Sequence, residues 1–275
     1  MTEGRLVVCA TPIGNLGDVS DRLRATLEAA DLLYAEDTRR AAKLLSHLGT
    51  SIPVLSLFVG NEMGRSQEIV EAVASGSRVA IVSDAGMPTI SDPGAHAVRA
   101  VREAGFRVEV IPGPSAVTTA LALAGFGGDR FVFEGFLPRK GNDRTSRLQA
   151  VGAETRPVVL FASPNRLGDD LTDLVTVCGP GREVAVTREL TKLHEESWVG
   201  SLAEAVSRWS GEIKGEVTLV LGPTPEPEPS LDEAIAKARE LVDSGESVSA
   251  AARQVSADTG VSRHQIYEAL ISSET

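Results

Sequence analysis

Two acidic and two basic side chains stand close together after a short apolar run. In residues 35–40 (AEDTRR), the carboxylates of Glu36 and Asp37 precede the guanidiniums of Arg39 and Arg40. A carboxylate can orient or deprotonate a hydroxyl group, and a guanidinium binds phosphate through paired N–H donors. The same residues also fit the first turn of a helix, where the helix dipole favours acidic side chains. From these residues alone, a catalytic group and a helix N-terminus are both open.

Two loops rich in glycine, proline and aspartate follow strand-like runs. Residues 83–94 (SDAGMPTISDPG) contain two aspartates, two glycines and two prolines, which favours a preformed backbone surface that binds a ligand. Residues 9–18 (CATPIGNLGD) lack the GxGxxG dinucleotide pattern but occupy the position where open α/β sheets bind ligands. The alternatives are ordinary turns, the longer one ending in an N-cap at Ser91 or Asp92.

The elements that must position these residues alternate between strand and helix. In the predicted first domain, residues 1–113, short apolar runs at 6–10, 32–35, 79–83 and 108–111 predict buried strands. Segments at 19–30, 39–48, 67–75 and 96–104 predict helices. Gly49, Gly76 and Gly105 follow three of these helices, where a left-handed C-terminal cap favours glycine. This pattern predicts an α/β fold.

The second predicted domain, residues 114–222, begins with a helix at 116–124 that follows Ser115. Strands are expected near 130–136, 157–162, 183–187, 196–199 and 217–221, with helices near 144–150, 166–175 and 202–209. Two strands in succession at 183–199 indicate a hairpin, so this half is expected to be mixed or antiparallel.

A proline-rich linker and a helical tail complete the chain. Residues 223–230 (PTPEPEPS) predict a semi-rigid extended spacer, since alternating prolines fix φ and remove backbone donors. Residues 231–275 predict helices at 231–243, 249–259 and from 262, with a turn at Gly260 that resembles a helix-turn-helix. Four basic residues against eight acidic ones give the tail a charge of −4, which disfavours DNA reading.

Composition excludes several classes of protein. The net charge of −11 argues against general nucleic-acid binding, so an RNA partner would need a local basic patch. No apolar stretch approaches the roughly 20 residues that cross a bilayer, and the N-terminus has no secretory signal pattern. Cys9 and Cys178 are isolated, which indicates a reducing, cytoplasmic setting, and the four histidines form no close-spaced pair, so no metal site is predicted.

Seven motifs, taken in order, resemble one branch of the tetrapyrrole-methylase superfamily. They are residues 11–16 (TPIGNL), 35–39 (AEDTR), 83–94, 112–116 (PGPSA), 134–138 (EGFLP), 188–192 (RELTK) and 214–216 (KGE). This branch, ribosomal RNA small subunit methyltransferase I, 2′-O-methylates a cytidine in the decoding region. The resemblance runs from about residue 6 to residue 221 and extends to the helical tail.

The resemblance implies two α/β lobes with S-adenosylmethionine in the cleft between them, a small helical C-terminal extension and a homodimer. Backbone groups and small apolar contacts hold the cofactor in such proteins, and the reaction needs no metal. The positions that carry over as cofactor-binding are Pro12, Asp84, Met87, Ser115, Ala116, Phe161 and Leu190.

An RNA substrate then gives the charged residues roles. Glu36 and Asp37 are expected to orient or deprotonate the ribose hydroxyl, with Lys192 and Glu189 as secondary candidates. Phosphate contacts are expected from Arg39 and Arg40 and from a basic loop that holds Arg139, Lys140 and Arg144, with Arg147 nearby. A merely solvated surface loop is the alternative for that patch.

Three positions depart from the family pattern. Phe58 precedes the Asn-Glu pair where a histidine is common, Ala162 stands in place of a common glutamate, and Met87 replaces a usual threonine. The first two departures argue against a base at those positions. Two competing functions also stay open: a sister methyltransferase that acts on a corrin precursor or a protein side chain, and a transcriptional regulator that senses a nucleotide.

Overall fold

The computed structural model describes residues 4–224 and 230–272. The chain divides into two compact units, Met1–Pro223 and Thr224–Thr275. The first unit contains two five-stranded sheets, and the second is helical. The predicted linker at 223–230 falls mainly on residues 225–229, which lie outside the described residues, so its extended form stays a prediction.

The first sheet is entirely parallel, with the strand order β3-β2-β4-β1-β5. Its interior strands are buried because helices cover both faces, which the continuous apolar runs had indicated. The elements are β1 (Arg5–Cys9), α1 (Asp21–Glu28), β2 (Leu32–Ala35), α2 (Thr38–Leu48), β3 (Val54–Ser56), α3 (Glu62–Ala74), β4 (Arg78–Val82), α4 (Ala95–Glu103) and β5 (Arg107–Ile111).

Two elements of this half differ from the sequence prediction. The edge strand β3 was not predicted, because three residues are too few to show a period-2 pattern. Helix α3 begins at Glu62, five residues before the predicted start, and its first turns bury the polar residues Glu62 and Ser66. Buried polar residues conceal the apolar periodicity from which a helix is predicted.

The second sheet is mixed, with the order β6-β7-β10-β8-β9. Only β6 and β7 pair in parallel, and β8 and β9 form the expected antiparallel hairpin. Helix α5 packs against β7, β8 and β10, so the chain enters the second layer directly after β5. The elements are α5 (Ala116–Ala124), β6 (Val132–Phe136), α6 (Asn142–Ala153), β7 (Val158–Ala162), α7 (Leu167–Cys178), β8 (Glu183–Arg188), β9 (Glu196–Ser201), α8 (Leu202–Arg208) and β10 (Val217–Leu221).

The tail forms a small bundle of three helices, α9 (Leu231–Asp243), α10 (Val248–Thr259) and α11 (Arg263–Ser272). Alanine, valine, isoleucine and leucine side chains from all three helices form its core. Gly260 is the C-cap of helix α10, and its φ of 71° suits the turn into α11. Of the helices described here, none is both long enough and apolar enough to span a membrane.

Candidate active site

A cavity of about 450 Å³ lies where the first sheet's strand-end loops meet the second sheet. Its first wall comes from loops after β1, β2 and β4, and its second wall comes from β6, β7, the start of α5 and the segments around β10. We call this cavity the cleft. Its lining residues are Ile13, Glu36, Arg40, Asp84, Ala85, Gly86, Met87, Ile90, Ser91, Asp92, Ser115, Ala116, Val117, Phe136, Phe161, Ala162, Ser163, Pro164, Leu190, Gly215, Glu216, Val217 and Thr218.

The two loops predicted to bind a ligand are joined to each other in the first wall. Thr11 and Gly86 form an isolated antiparallel bridge, with N···O distances of 2.8 and 3.1 Å. Gly86 has a φ of 77°, and Thr89 and Ser91 also have positive φ values, of 75° and 63°. Non-glycine residues rarely adopt this backbone region and are concentrated at functional sites. The backbone of the 83–94 loop is therefore held in a defined conformation where it lines the cleft.

Three carboxylates line the first wall of the cleft. Glu36 follows β2, while Asp84 and Asp92 stand at the two ends of the loop after β4. Burial and the negative charge of Asp84 raise the pKa of Glu36 above its ordinary value. Burial and the charge of Glu36 raise the pKa of Asp92 to about 6. A carboxylate with a raised pKa is a better proton acceptor near neutral pH.

Asp92 was not predicted as a functional residue, because its sequence position fits a helix cap. The structure gives that role to another residue: Glu62 Oε1 accepts hydrogen bonds from the backbone N–H groups of Gly94 and His96, at 2.8 and 2.9 Å. Glu62 thus caps α4 from a distant part of the chain. The carboxylate of Asp92 is left to face the cleft.

Asp37 is a helix cap, which is a correction to its predicted catalytic role. Its Oδ1 accepts a hydrogen bond from the backbone N–H of Arg39 at 2.8 Å, and the Arg39 side chain also donates to it. These hydrogen bonds hold the pKa of Asp37 well below its usual range, so it is a poor base. Asp37 is absent from the cleft lining, and its neighbour Glu36 lies there.

The second wall is mainly apolar. Phe136, Phe161 and Leu190 line it, together with the small residues Ser115 and Ala116 at the start of α5. Six of the seven residues predicted to hold the cofactor therefore line the cleft. Pro12 does not, and the next residue, Ile13, lines the cleft instead.

Lys192 belongs to an ion-pair group beside the cleft and not to its lining. Its Nζ lies 2.7 Å from Glu189 Oε1 and 3.0 Å from Glu216 Oε2. Burial alone would lower the pKa of Lys192, but the hydrogen bonds to both glutamates outweigh burial and raise it. A lysine held as a cation is a poor proton acceptor, so this arrangement gives no support to a role for Lys192 as a base.

Arg40 lies between the two walls. Its Nε is 3.5 Å from Asp84 Oδ2, and its Nη1 is 4.0 Å from Glu216 Oε1. The side chain is 53% exposed, so it can still reach a ligand that enters the cleft. Arg39 is 87% exposed beside Asp37.

Arg144 is buried, which corrects its predicted place in the basic RNA patch. Its guanidinium donates to Asp170 at 2.8 Å, to Asp173 at 2.6 Å and to the carbonyl of Pro138 at 2.9 Å. These partners leave little of the side chain for a phosphate, and it is 10% exposed. Arg139 and Lys140 are both exposed.

Comparisons with known proteins agree with this architecture. The family model of tetrapyrrole (corrin/porphyrin) methylases matches residues 5–206. Ribosomal RNA small subunit methyltransferase I of Synechocystis sp. is 44% identical over 269 residues, which cover 96% of each chain. The protein of the same name from Mycobacterium tuberculosis is 44% identical over 277 residues, which cover 99% of this chain and 96% of that one. The crystal structure of the methyltransferase CobJ superposes with a TM-score of 0.63 at 21% identity, covering 80% of this chain and 95% of that one.

The fold and the cleft thus define a methyltransferase of the tetrapyrrole-methylase class, which confirms the predicted two-lobed α/β fold. Within that class, the chain belongs to the family of ribosomal RNA small subunit methyltransferase I. The cofactor of this family is S-adenosylmethionine, as the resemblance implied.

The residues of the cleft fit that cofactor. Gly86 and Gly215 have no side chains, so each leaves room for a ligand along the lining of the cleft, and the backbone of Gly215 is exposed. Apolar side chains flank these glycines, and the carboxylates opposite favour a positively charged sulfur over a neutral one. No group of three or more His, Cys, Asp or Glu side chains is placed to hold a metal ion within residues 4–224 and 230–272.

Proposed function

We propose that the protein transfers a methyl group from S-adenosylmethionine to the ribose 2′-oxygen of a cytidine in the decoding region of small-subunit ribosomal RNA. The observation that carries the proposal is the cleft, where the raised-pKa carboxylates of Glu36 and Asp92 face an apolar wall. The names of the relatives, which are 44% identical over nearly the whole chain, support ribosomal RNA as the substrate.

The second wall and the 83–94 loop would hold the cofactor. Ala85, Gly86, Ser115 and Ala116 bring small side chains and backbone close to the cleft, and Met87, Phe161 and Leu190 supply apolar contact. When bound, S-adenosylmethionine supplies an electrophilic methyl group on a positively charged sulfur, and a neutral thioether is left after the transfer. The protein's principal task is alignment, which can contribute roughly 7–11 kcal/mol to lowering a barrier.

Glu36 is the proposed acceptor of the proton that leaves the ribose hydroxyl. The oxygen forms its bond to carbon as it loses this proton, so an acceptor within reach increases its nucleophilicity. Glu36 lines the cleft, and its pKa is raised, whereas Asp37 is engaged by Arg39. Asp84 positions the turn that carries Glu36, because its Oδ1 accepts the backbone N–H of Asp37 at 2.9 Å.

Exposed basic residues are proposed to hold the RNA backbone. Arg139 and Lys140 follow β6, whose last residue, Phe136, lines the cleft. Arg39 and Arg40 stand at the start of α2, and Arg40 lines the cleft. Arg144 is left out of this surface because its guanidinium is bound inside the protein. Local placement of these cations would compensate for the net charge of −11.

The direct test is methyl transfer to purified small ribosomal subunits that lack this modification. The protein is incubated with subunits and S-adenosylmethionine labelled in its methyl group, and the RNA is digested to nucleosides. We expect the label in 2′-O-methylcytidine at one site, located by nuclease mapping. Label in a base or in ribosomal protein, or label accepted only by a corrin precursor, would overturn the proposal.

We further propose that the protein acts as a homodimer in the cytoplasm. The homodimer follows from the resemblance to the family, and the cytoplasm is where small ribosomal subunits are assembled in bacteria such as the organisms of its relatives. Sedimentation of the purified protein measures the first point. A sedimentation coefficient that fits a single chain at micromolar concentration would overturn it.

A further inference from the structure

A β-bulge lies in β6 at the edge of the cleft. The pairing of β6 with β7 shifts between Phe133 and Gly135, so one extra residue is present on β6. In a regular strand, Phe133 and Phe136 would point to opposite faces, because they are three positions apart. The extra residue instead brings both onto the face of Phe161, at ring-centroid distances of 5.0 and 5.4 Å. Bulges next to active sites re-aim side chains in this way.

The bulge depends on glycine and abuts the cofactor loop. Gly135 has a φ of 65°, in the left-handed region. A Cβ on Gly135 would lie 3.2 Å from Ser91 Oγ, so a side chain would press on the 83–94 loop. The bulge that turns Phe136 toward the cleft therefore needs a glycine at position 135, where any larger residue would be strained.

The ring of Phe136 is a surface of the cleft and is not part of the hydrophobic core. It lines the cleft, yet 57% of the residue is exposed, whereas Phe133 and Phe161 behind it are partly buried. Leaving so large an apolar ring at the edge of a ligand cavity costs burial energy, which a bound partner can recover. Its neighbours in sequence, Arg139 and Lys140, are exposed cations. An aromatic ring beside cations is the combination that binds single-stranded nucleic acid, by stacking a base while the charges hold the backbone.

We infer that Phe136, re-aimed by the bulge at Gly135, stacks on the unpaired base of the target nucleotide and so presents its ribose to the cleft. This inference rests on the proposed function, because it assumes an RNA substrate. A nucleotide that is turned out of its stack can bring its ribose into a cleft, but its base loses the stacking of its neighbours. Phe136 would supply the replacement stacking surface.

Substitution at Phe136 tests the inference by kinetics on small ribosomal subunits. Phe136→Ala should lower kcat/KM for subunits roughly 5- to 150-fold, the range that corresponds to ~1–3 kcal/mol of base stacking. The affinity for S-adenosylmethionine, measured by calorimetry, should stay within about twofold of wild type. Phe136→Tyr should restore most of kcat/KM, since tyrosine keeps a stacking ring.

Phe58→Ala is the matched control. Phe58 is also a large exposed ring, at 47%, but it is absent from the lining of the cleft. Phe58→Ala should therefore leave kcat/KM for small ribosomal subunits unchanged. If Phe136→Ala kept wild-type kcat/KM, or if it weakened S-adenosylmethionine binding as strongly as RNA turnover, the base-stacking role would be wrong, and in the second case Phe136 would be a cofactor contact.

A binding measurement separates this inference from the proposed function. Fluorescence anisotropy compares a labelled oligocytidine with an abasic oligomer of the same length, which keeps the phosphates and lacks the bases. The wild type should bind oligocytidine more tightly, and Phe136→Ala should remove that preference without changing abasic binding. If Phe136→Ala loses the preference for oligocytidine but the wild type methylates no ribosomal RNA, the stacking role is supported and the proposed function is rejected. An unchanged preference would reject the stacking role even if methylation is observed.

Discussion

Replacing Asp92 with asparagine should make the protein more stable at neutral pH. Burial and the charge of Glu36 raise the pKa of Asp92 to about 6 in the folded protein, from an ordinary value of 3.8. Above pH 6, the folded state must keep this carboxylate charged in an unfavourable place, so its charge costs stability there. Below about pH 4, the group is protonated in both states and the cost disappears. Asparagine carries no charge at any pH and removes the cost.

The size of the effect follows from the shift. A change from 3.8 to about 6 is roughly two units, and each unit corresponds to about 1.4 kcal/mol, which sets an upper limit of ~3 kcal/mol. Asp92 is only partly buried, so solvent screening reduces the expected gain to about 1–2 kcal/mol. For a chain of this length, the midpoint of thermal unfolding should rise by about 2–6 °C.

Thermal unfolding of the wild type and of Asp92→Asn between pH 4 and pH 8 measures this prediction. The two midpoints should lie close together near pH 4, separate as the pH rises from about 4 to 6 and keep a constant gap above pH 6, with the variant higher. Asp129→Asn, which removes one negative charge from an exposed loop, is the control and should show no separation of this kind. A variant that is less stable than wild type at pH 8, or a gap that is equal at all pH values, would refute the reasoning.

Three further predictions concern other charged residues. Glu36→Gln should slow turnover on small subunits while calorimetry shows S-adenosylmethionine binding unchanged; wild-type turnover would remove Glu36 from the mechanism. Arg144→Ala should lower the free energy of unfolding by roughly 2–4 kcal/mol in urea titrations, because the buried carboxylate of Asp170 then keeps only Arg166, at 3.3 Å. Arg147→Ala should cost less, about 1 kcal/mol, because the arginine of its pair with Glu134 is 46% exposed. Neutralising Arg139 and Lys140 together should weaken RNA binding and flatten its salt dependence; an unchanged slope would exclude this loop.

Much of the fold could be predicted because its signals are local. The apolar runs and their spacing located nine of the ten strands of the described residues, and the helix at Ala116–Ala124 was predicted with its observed bounds. Two capping features behaved as their sequences indicate: Gly49 ends α2 with a φ of 71°, and Ser230 with Glu233 forms a capping box at the start of α9. Such contacts join residues only a few positions apart, so the sequence pattern determines them.

The sequence predicted which loops form the site, but it predicted less well which of their side chains face the cleft. Glu36 and Asp37 are adjacent and chemically alike, and the sequence does not distinguish them. The structure does, because Asp37 caps α2 and Glu36 faces the cleft. The basic loop behaves similarly: its charges are evident in the sequence, yet Arg144 pairs with Asp170, which lies 26 positions further along the chain.

The amino-acid sequence alone determined the alternation of strands and helices, the position of the two loops that line the cleft and the resemblance to the methylase family. Tertiary structure decided which side chains enter the cleft. Glu62 reaches across 32 positions to cap the N-terminus of α4, while Asp92 lines the cleft, and a bulge in the pairing of β6 with β7 turns Phe136 toward the cleft. These outcomes depend on hydrogen bonds and strand register between distant segments, and no periodicity within a short window of sequence encodes them.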